Sequence, residues 1–232
     1  MEKTTNEKVQ LVCKYCNKQF SRESSFFVHV CEQKKRFSEK NEPGVRLGLQ
    51  AFLRFFSETQ TLGKAKTFDD FVKSTYYRAF TKFGRHIVAI NAVNPSRFID
   101  WIIKQNKKID YWCHEKLYSD YLSQYLQTEA VTDALERAIQ YSIKWGEEYG
   151  HSDCDVFRLG NTNRVCYAIQ TGRISAWVIY GSVSGRTFIN NLNEDNLAQI
   201  WTQVNPEFWQ KKFNDYAEDY LYVQDILEKA GW

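Results

Sequence analysis

From Val45 onward, apolar residues recur at the three- and four-residue spacing of helices that bury one side. In VRLGLQAFLRFFSE (45–58), Leu47, Phe52, Phe55 and Phe56 share a side. Start and stop signals frame the segments that follow. Thr67 is an expected N-cap for FDDFVKSTYYRAFTKF, with Asp69 and Asp70 in its first turn and Gly84 just past its end. Asn94-Pro95 opens SRFIDWIIKQ, and Asn205-Pro206 opens EFWQKKF, each with a capping Asn before proline at the first helical position. Asp110 is expected to cap YWCHEKLYSDYLSQYL. Thr128 is expected to cap EAVTDALERAIQYSIKWGEEY, which stops at Gly150. A last helix covers about 217–229, before Gly231.

The pattern is ambiguous over 155–192. DVFRL and NRVCYAI read as short strands or as helix, and helix is preferred for much of the region. Ser175 suits the N-cap of AWVIYGSVSGRTFINNL, in which Gly181 and Gly185, four apart, would form a small face for close helix contact. No solenoid repeat is present. The expectation is a mainly α chain whose body, residues 45–232, is an all-α domain of about eight helices.

Composition narrows the class. A 43% hydrophobic and 25% charged chain of 232 residues is long enough for a full core without disulfides. Residues 1–12 lack the apolar core of a secretory signal, and no run approaches a membrane span. An intracellular protein with no membrane partner is expected. Its six cysteines are then thiols or metal ligands. Net charge is +3, unevenly placed: residues 1–46 carry ten Lys/Arg against six Asp/Glu, and the remainder 21 against 22.

That basic end holds the clearest motif. CKYCNKQFSRESSFFVHVC places Cys13 and Cys16 on one tight turn, then Phe20, Phe26 and His29, then Cys31. The pattern C-x2-C-x3-F-x5-F-x2-H resembles the ββα zinc finger with two cysteines and two histidines, over about residues 10–33. The resemblance implies a structural Zn²⁺, a miniature core of Phe20 and Phe26, and a helix starting near Arg22. Base-facing positions would be Arg22, Ser25 and Val28, with Ser24 assisting and Phe27 on the outer face. The chain departs from the family after His29. The next donor, Cys31, is only two residues on, where a regular helix would turn it away. The helix must therefore end or unwind at His29 for Cys31 to be the fourth ligand. Four protein ligands make a closed, structural site.

Residues 34–44 follow as an expected basic linker, with Lys34, Lys35, Arg36, Lys40 and Arg46 suited to phosphate and Glu32, Glu39 and Glu42 opposing them. Pro43-Gly44 closes it as a turn. The finger with the CEQKKR that follows, and a chain rich in Lys, Asn and aromatics, is also similar to poorly characterised zinc-finger proteins of large tailed phages. That similarity implies a viral protein acting in the host cytoplasm.

Catalytic motifs are absent: no phosphate-cradling glycine loop, no nucleophile elbow, no H-E-x-x-H. Glu147, Glu148, His151, Asp153, Cys154 and Asp155 form a polar cluster at a helix end, a solvated turn more readily than a metal site. A second zinc site from Cys113, His114, His151, Cys154 and Cys166 lacks paired spacing. YYRAFTKFGRH (76–86) and the stretch around Trp201, Phe208, Trp209, Lys211 and Lys212 mix aromatics with cations, a pattern that fits base stacking or a buried stripe. Three functions stay open: binding of nucleic acid, DNA ahead of RNA, through Arg22, Ser25, Lys34, Lys35 and Arg36; docking of a protein partner; and a metal-dependent nuclease using Glu147, Asp153 and Asp155.

Overall fold

The computed structural model describes residues 11–60 and 64–232. Residue 10, the expected start of the finger, lies outside them. The chain divides into two compact units, Met1–His114 and Glu115–Trp232.

The first unit begins with a hairpin of β1 (Leu11–Val12) and β2 (Gln19–Phe20), paired antiparallel with Leu11 opposite Phe20. Helices α1 (Glu23–Phe27), α2 (Glu32–Ser38), α3 (Pro43–Thr59), α4 (Phe68–Lys73), α5 (Tyr77–Ala89) and α6 (Pro95–Lys104) follow. A 3₁₀ turn, Ile109–Tyr111, ends the unit. The expected order, a small ββα element and then helices only, is what the described residues adopt.

Several sequence signals act as read. The Thr67 hydroxyl accepts from Asp70 N–H, and the Asp70 carboxylate accepts from Thr67 N–H, a reciprocal cap. Asn94 caps α6 by accepting from Arg97 N–H. The continuous helix expected over FDDFVKSTYYRAFTKF is two helices instead. Ser74 is extended and ends α4, and α5 restarts at Tyr77. Gly84 does not stop a helix. It lies inside α5, where the chain of α3 passes so close that a Cβ would strike the carbonyl oxygen of Gly44 and the nitrogen of Gly48. Gly48 faces the same seam, with a Cβ site 2.6 Å from the Phe80 carbonyl oxygen. Residues 34–38, expected in the linker, belong to helix α2. The core is aromatic: Phe52, Phe71, Phe80, Phe83, Phe98 and Trp112 are buried.

The second unit contains α7 (Glu115–Thr128), α8 (Val131–Tyr149), α9 (Val156–Leu159), α10 (Thr162–Gln170), α11 (Ala176–Gly181), α12 (Val183–Asn190), α13 (Glu194–Val204), α14 (Pro206–Asp215) and α15 (Ala217–Lys229). The ambiguous segments DVFRL and NRVCYAI are helical. Gly150 ends α8 in the left-handed region at φ 70°, and Asn205 caps α14 through Glu207 and Phe208 N–H. Two expected caps are displaced. Asp110 sits in the 3₁₀ turn before α7, and Thr128 bonds back to the Gln124 carbonyl while α8 starts at Val131. The helix expected after Ser175 breaks at Ser182, whose hydroxyl caps α12 by accepting from Gly185 N–H. Gly181 and Gly185 consequently face different neighbours: Val223 and Leu227 for the first, the Ile179 backbone for the second. Trp177, Trp209, Ile200, Val204, Val223 and Leu227 fill the core. No helix among the described residues is long and apolar enough to cross a membrane.

Candidate metal centre

The tight turn after β1 presents Cys13 and Cys16, and Asn17 takes the left-handed conformation, φ 58°, that closes it. Phe20 on β2 and Phe26 on α1 meet edge to face at 5.7 Å, and Phe20 packs on the His29 ring at 4.7 Å. This small cluster aims His29 back toward the turn. Helix α1 stops at Phe27, and residues 29–31 are irregular. The unwinding that the Cys31 ligand requires is therefore present.

The four donor atoms, the sulfurs of Cys13, Cys16 and Cys31 and a ring nitrogen of His29, lie within 4.8 Å of one another. Cys13 Sγ is 4.0 Å from Cys31 Sγ, and Cys16 Sγ is 3.3 Å from His29 Nε2. Tetrahedral zinc with bonds of about 2.3 Å to sulfur and about 2.0 Å to nitrogen would set these separations near 3.8 and 3.5 Å. The residues thus fit a tetrahedral metal ion, and three thiolates with one imidazole are a donor set that suits zinc.

Local electrostatics favour thiolate at Cys13 and thiol at Cys16. Burial raises the pKa of Cys13, but hydrogen bonds from the backbone of Cys16 and Tyr15 outweigh it and bring it to about 6. The backbone of Lys18 pulls Cys16 down, yet burial and the neighbouring Cys13 and Cys31 thiols carry it above its ordinary value. Cys31 is also the N-cap of α2: its sulfur accepts from Lys34 N–H at 3.4 Å.

The module is joined to the helices of its unit through side chains. Tyr15 packs on Phe37 at 5.0 Å, and Phe37 packs on Phe68 of α4 at 5.3 Å. Arg36 donates to the Val72 carbonyl at 2.6 Å and the Ser74 carbonyl at 3.3 Å, lies 4.5 Å from the Tyr77 ring, and bonds Glu32. Its guanidinium is thereby engaged within the unit. Of the other residues read as nucleic-acid contacts, Arg22, Ser25, Lys34 and Lys35 are exposed. Arg22 is the N-cap of α1, and Lys34 Nζ donates to the His29 carbonyl.

Among the described residues, these four ligands are the one group of three or more His, Cys, Asp or Glu side chains gathered closely enough to hold a metal. The acidic turn is dispersed. Glu148 pairs with Arg164, Asp155 with Arg158, and His151 stacks on Trp145. Around YYRAFTKFGRH, the stripe expected through Val72, Tyr76, Phe80 and Phe83 is buried except at Tyr76, which is exposed while Tyr77 is buried in its stead. Sequence reasoning missed the capping role of Cys31, although Cys-Glu-Gln-Lys carries an acceptor three residues before the Lys34 amide.

The chain matches no family model, no curated protein and no solved structure.

Proposed function

We propose that this is a non-enzymatic nucleic-acid-binding protein whose N-terminal module is a Cys₃His zinc site that holds cations toward phosphate. One observation carries the reading: Lys14, Lys18, Arg22 and Lys35 are all exposed around the metal centre. The acids of that region are Glu23 and Glu32, and Glu32 is paired with Arg36 and Arg78. Helix α1 has five residues, about 7.5 Å at the α-helical rise, too short to read a major groove at length. Contact directed at the backbone is the expected mode, with DNA ahead of RNA on the finger resemblance. A viral, accessory role in a host cytoplasm rests on the phage resemblance.

The test is affinity for duplex DNA against salt, with the metal-loaded and chelated protein. Binding that weakens with a log–log slope of about −0.9 per phosphate contact, and that chelation weakens, is expected. Salt-insensitive binding, or none, sinks the reading.

A second reading has its own support. Phe27, Val28 and Val30 are 77%, 78% and 75% exposed, side by side on the module. Phe27 can stack on a base, but the valines suit an apolar protein surface. A complex that survives nuclease treatment and is lost in Val28→Asp would favour docking of a protein.

A further inference from the structure

The helical part of the first unit carries a groove of about 490 Å³. Its floor is aromatic, from Phe55, Phe56, Tyr76 and Phe80, and Lys107 and Lys108 stand on its wall. A second hollow of about 350 Å³ shares Phe56 and is lined by Lys64 and Lys66. Lys66 Nζ lies 5.5 Å from the Phe56 ring centroid. Four lysines thus line two hollows that share the Phe56 ring, and Asp110 also lines the first. Asp70 also feels Lys66 and Lys64, but its carboxylate is already held by the N–H and hydroxyl of Thr67 at 2.8 and 2.9 Å.

The floor is set before any ligand arrives. Phe55 packs on Phe56 at 5.4 Å and on Phe80 at 5.8 Å, and both Phe55 and Phe80 rest on buried Trp112. The Trp112 indole N–H donates to the Lys107 carbonyl at 2.9 Å, which ties the lysine loop to the rings. Asn106, at φ 51°, turns the chain out of α6 into that loop. Within this floor Tyr76 is 54% exposed, although its neighbour Tyr77 is buried.

We infer that this groove binds a single-stranded stretch of nucleic acid, with a base stacked against Tyr76 and Phe56 and flanking phosphates on Lys107, Lys108, Lys64 and Lys66. Aromatic faces accept any base, and cations spaced around them follow the backbone. A duplex cannot use the floor, because its bases are stacked on one another and only unstacked bases can be splayed onto side chains. The ligand class rests on the nucleic-acid reading above, but the surface is separate from the metal module.

The experiment uses the full metal-loaded chain and a short fluorescein-labelled oligothymidylate, with duplex DNA alongside. Tyr76→Ala is expected to weaken oligothymidylate binding by roughly tenfold, and Tyr76→Trp to retain it. Lys107→Glu with Lys108→Glu should lower the salt slope by about 1.4, at roughly 0.7 per single-strand contact. Both changes should leave duplex binding intact. Cross-linking of iodouracil-substituted oligonucleotide should map to Tyr76. Groove variants that bind oligothymidylate like the parent overturn the inference, as does a parent protein that does not bind it. Loss in Arg22→Ala with Lys35→Ala, but not in the groove variants, keeps the metal-module reading and removes the groove. The opposite pattern keeps the groove and removes the metal-module reading.

Discussion

Glu129 and Arg137 meet through two hydrogen bonds, of 2.5 and 2.8 Å, with the Glu129 side chain wholly out of contact with solvent. Ser175 also donates to Glu129, and Arg137 Nε donates to the Gly172 carbonyl. Burial pushes Glu129 above the usual carboxylate range, and Arg137 pulls the other way. Removing Arg137 alone strands a charge in the core. Arg137→Met is expected to cost about 3–5 kcal/mol in urea unfolding, and adding Glu129→Gln to recover part of it. With its folded pKa above the unfolded one, Glu129 holds more protons in the folded state between the two values. The Arg137→Met variant should therefore regain stability relative to the parent as pH falls toward the unfolded value of Glu129. A cost that does not shrink on acidification would count against this account.

The glycine seam between α3 and α5 predicts a second stability effect. A methyl group on Gly84 has nowhere to go but into the backbone of α3. Gly84→Ala should destabilise the protein by about 3 kcal/mol, the upper end of ordinary overpacking, because backbone must move. Gly150→Ala is a useful contrast: no atom lies within 4 Å of its Cβ site, and its cost comes from the φ of 70° alone. Thermal melts of the two variants should separate steric crowding from backbone strain.

Metal content gives a third prediction. The purified protein should hold one zinc ion, and Cys16→Ser should lose it. Uptake must displace protons from the thiols, so apparent affinity should fall as pH is lowered through the Cys13 value of about 6. Cys16, held above its ordinary value in the metal-free state, is the larger source of released protons. Competition with a chromophoric chelator across pH measures both. A pH-independent affinity would exclude thiolate ligation.

Arg36 and Lys35 are adjacent but should behave differently. Arg36→Ala removes charge-assisted bonds to the Val72 and Ser74 carbonyls and should cost about 2 kcal/mol of stability. Lys35→Ala should leave stability unchanged and lower the salt slope of duplex binding by about 0.9. Equal effects of the two on the slope would mean that Arg36 leaves its carbonyls when ligand binds.

The candidate metal ligands were legible because their spacing is local: two residues between the first pair, then the core positions Phe20 and Phe26 before His29. Caps at Thr67, Asn94, Ser175 and Asn205 were legible for the same reason, since each acceptor meets an amide two or three residues on. Helix α2 was not. Its EQKKRFS has one aromatic, Phe37, and its packing depends on Tyr15 and Phe68, far off in sequence. Gly84 looked like a stop signal because nothing local reveals that another helix passes over it. The groove was not legible. The aromatic-basic run 76–86 contributes Tyr76 and Phe80 to it but none of its own cations, and Lys107 and Lys108 come from a loop some thirty residues away.

The shared use of Cys31 couples two parts of the first unit. All four donors fall within nineteen residues, so an ion held by them would close only a short loop, at small entropic cost. The same sulfur accepts from Lys34 N–H at the start of α2, so that ion would also fix where the helix begins. Phe37 and Arg36 of α2 reach the Phe68 ring and the Val72 carbonyl, so removing the ion should loosen the packing against α4 as well as the hairpin.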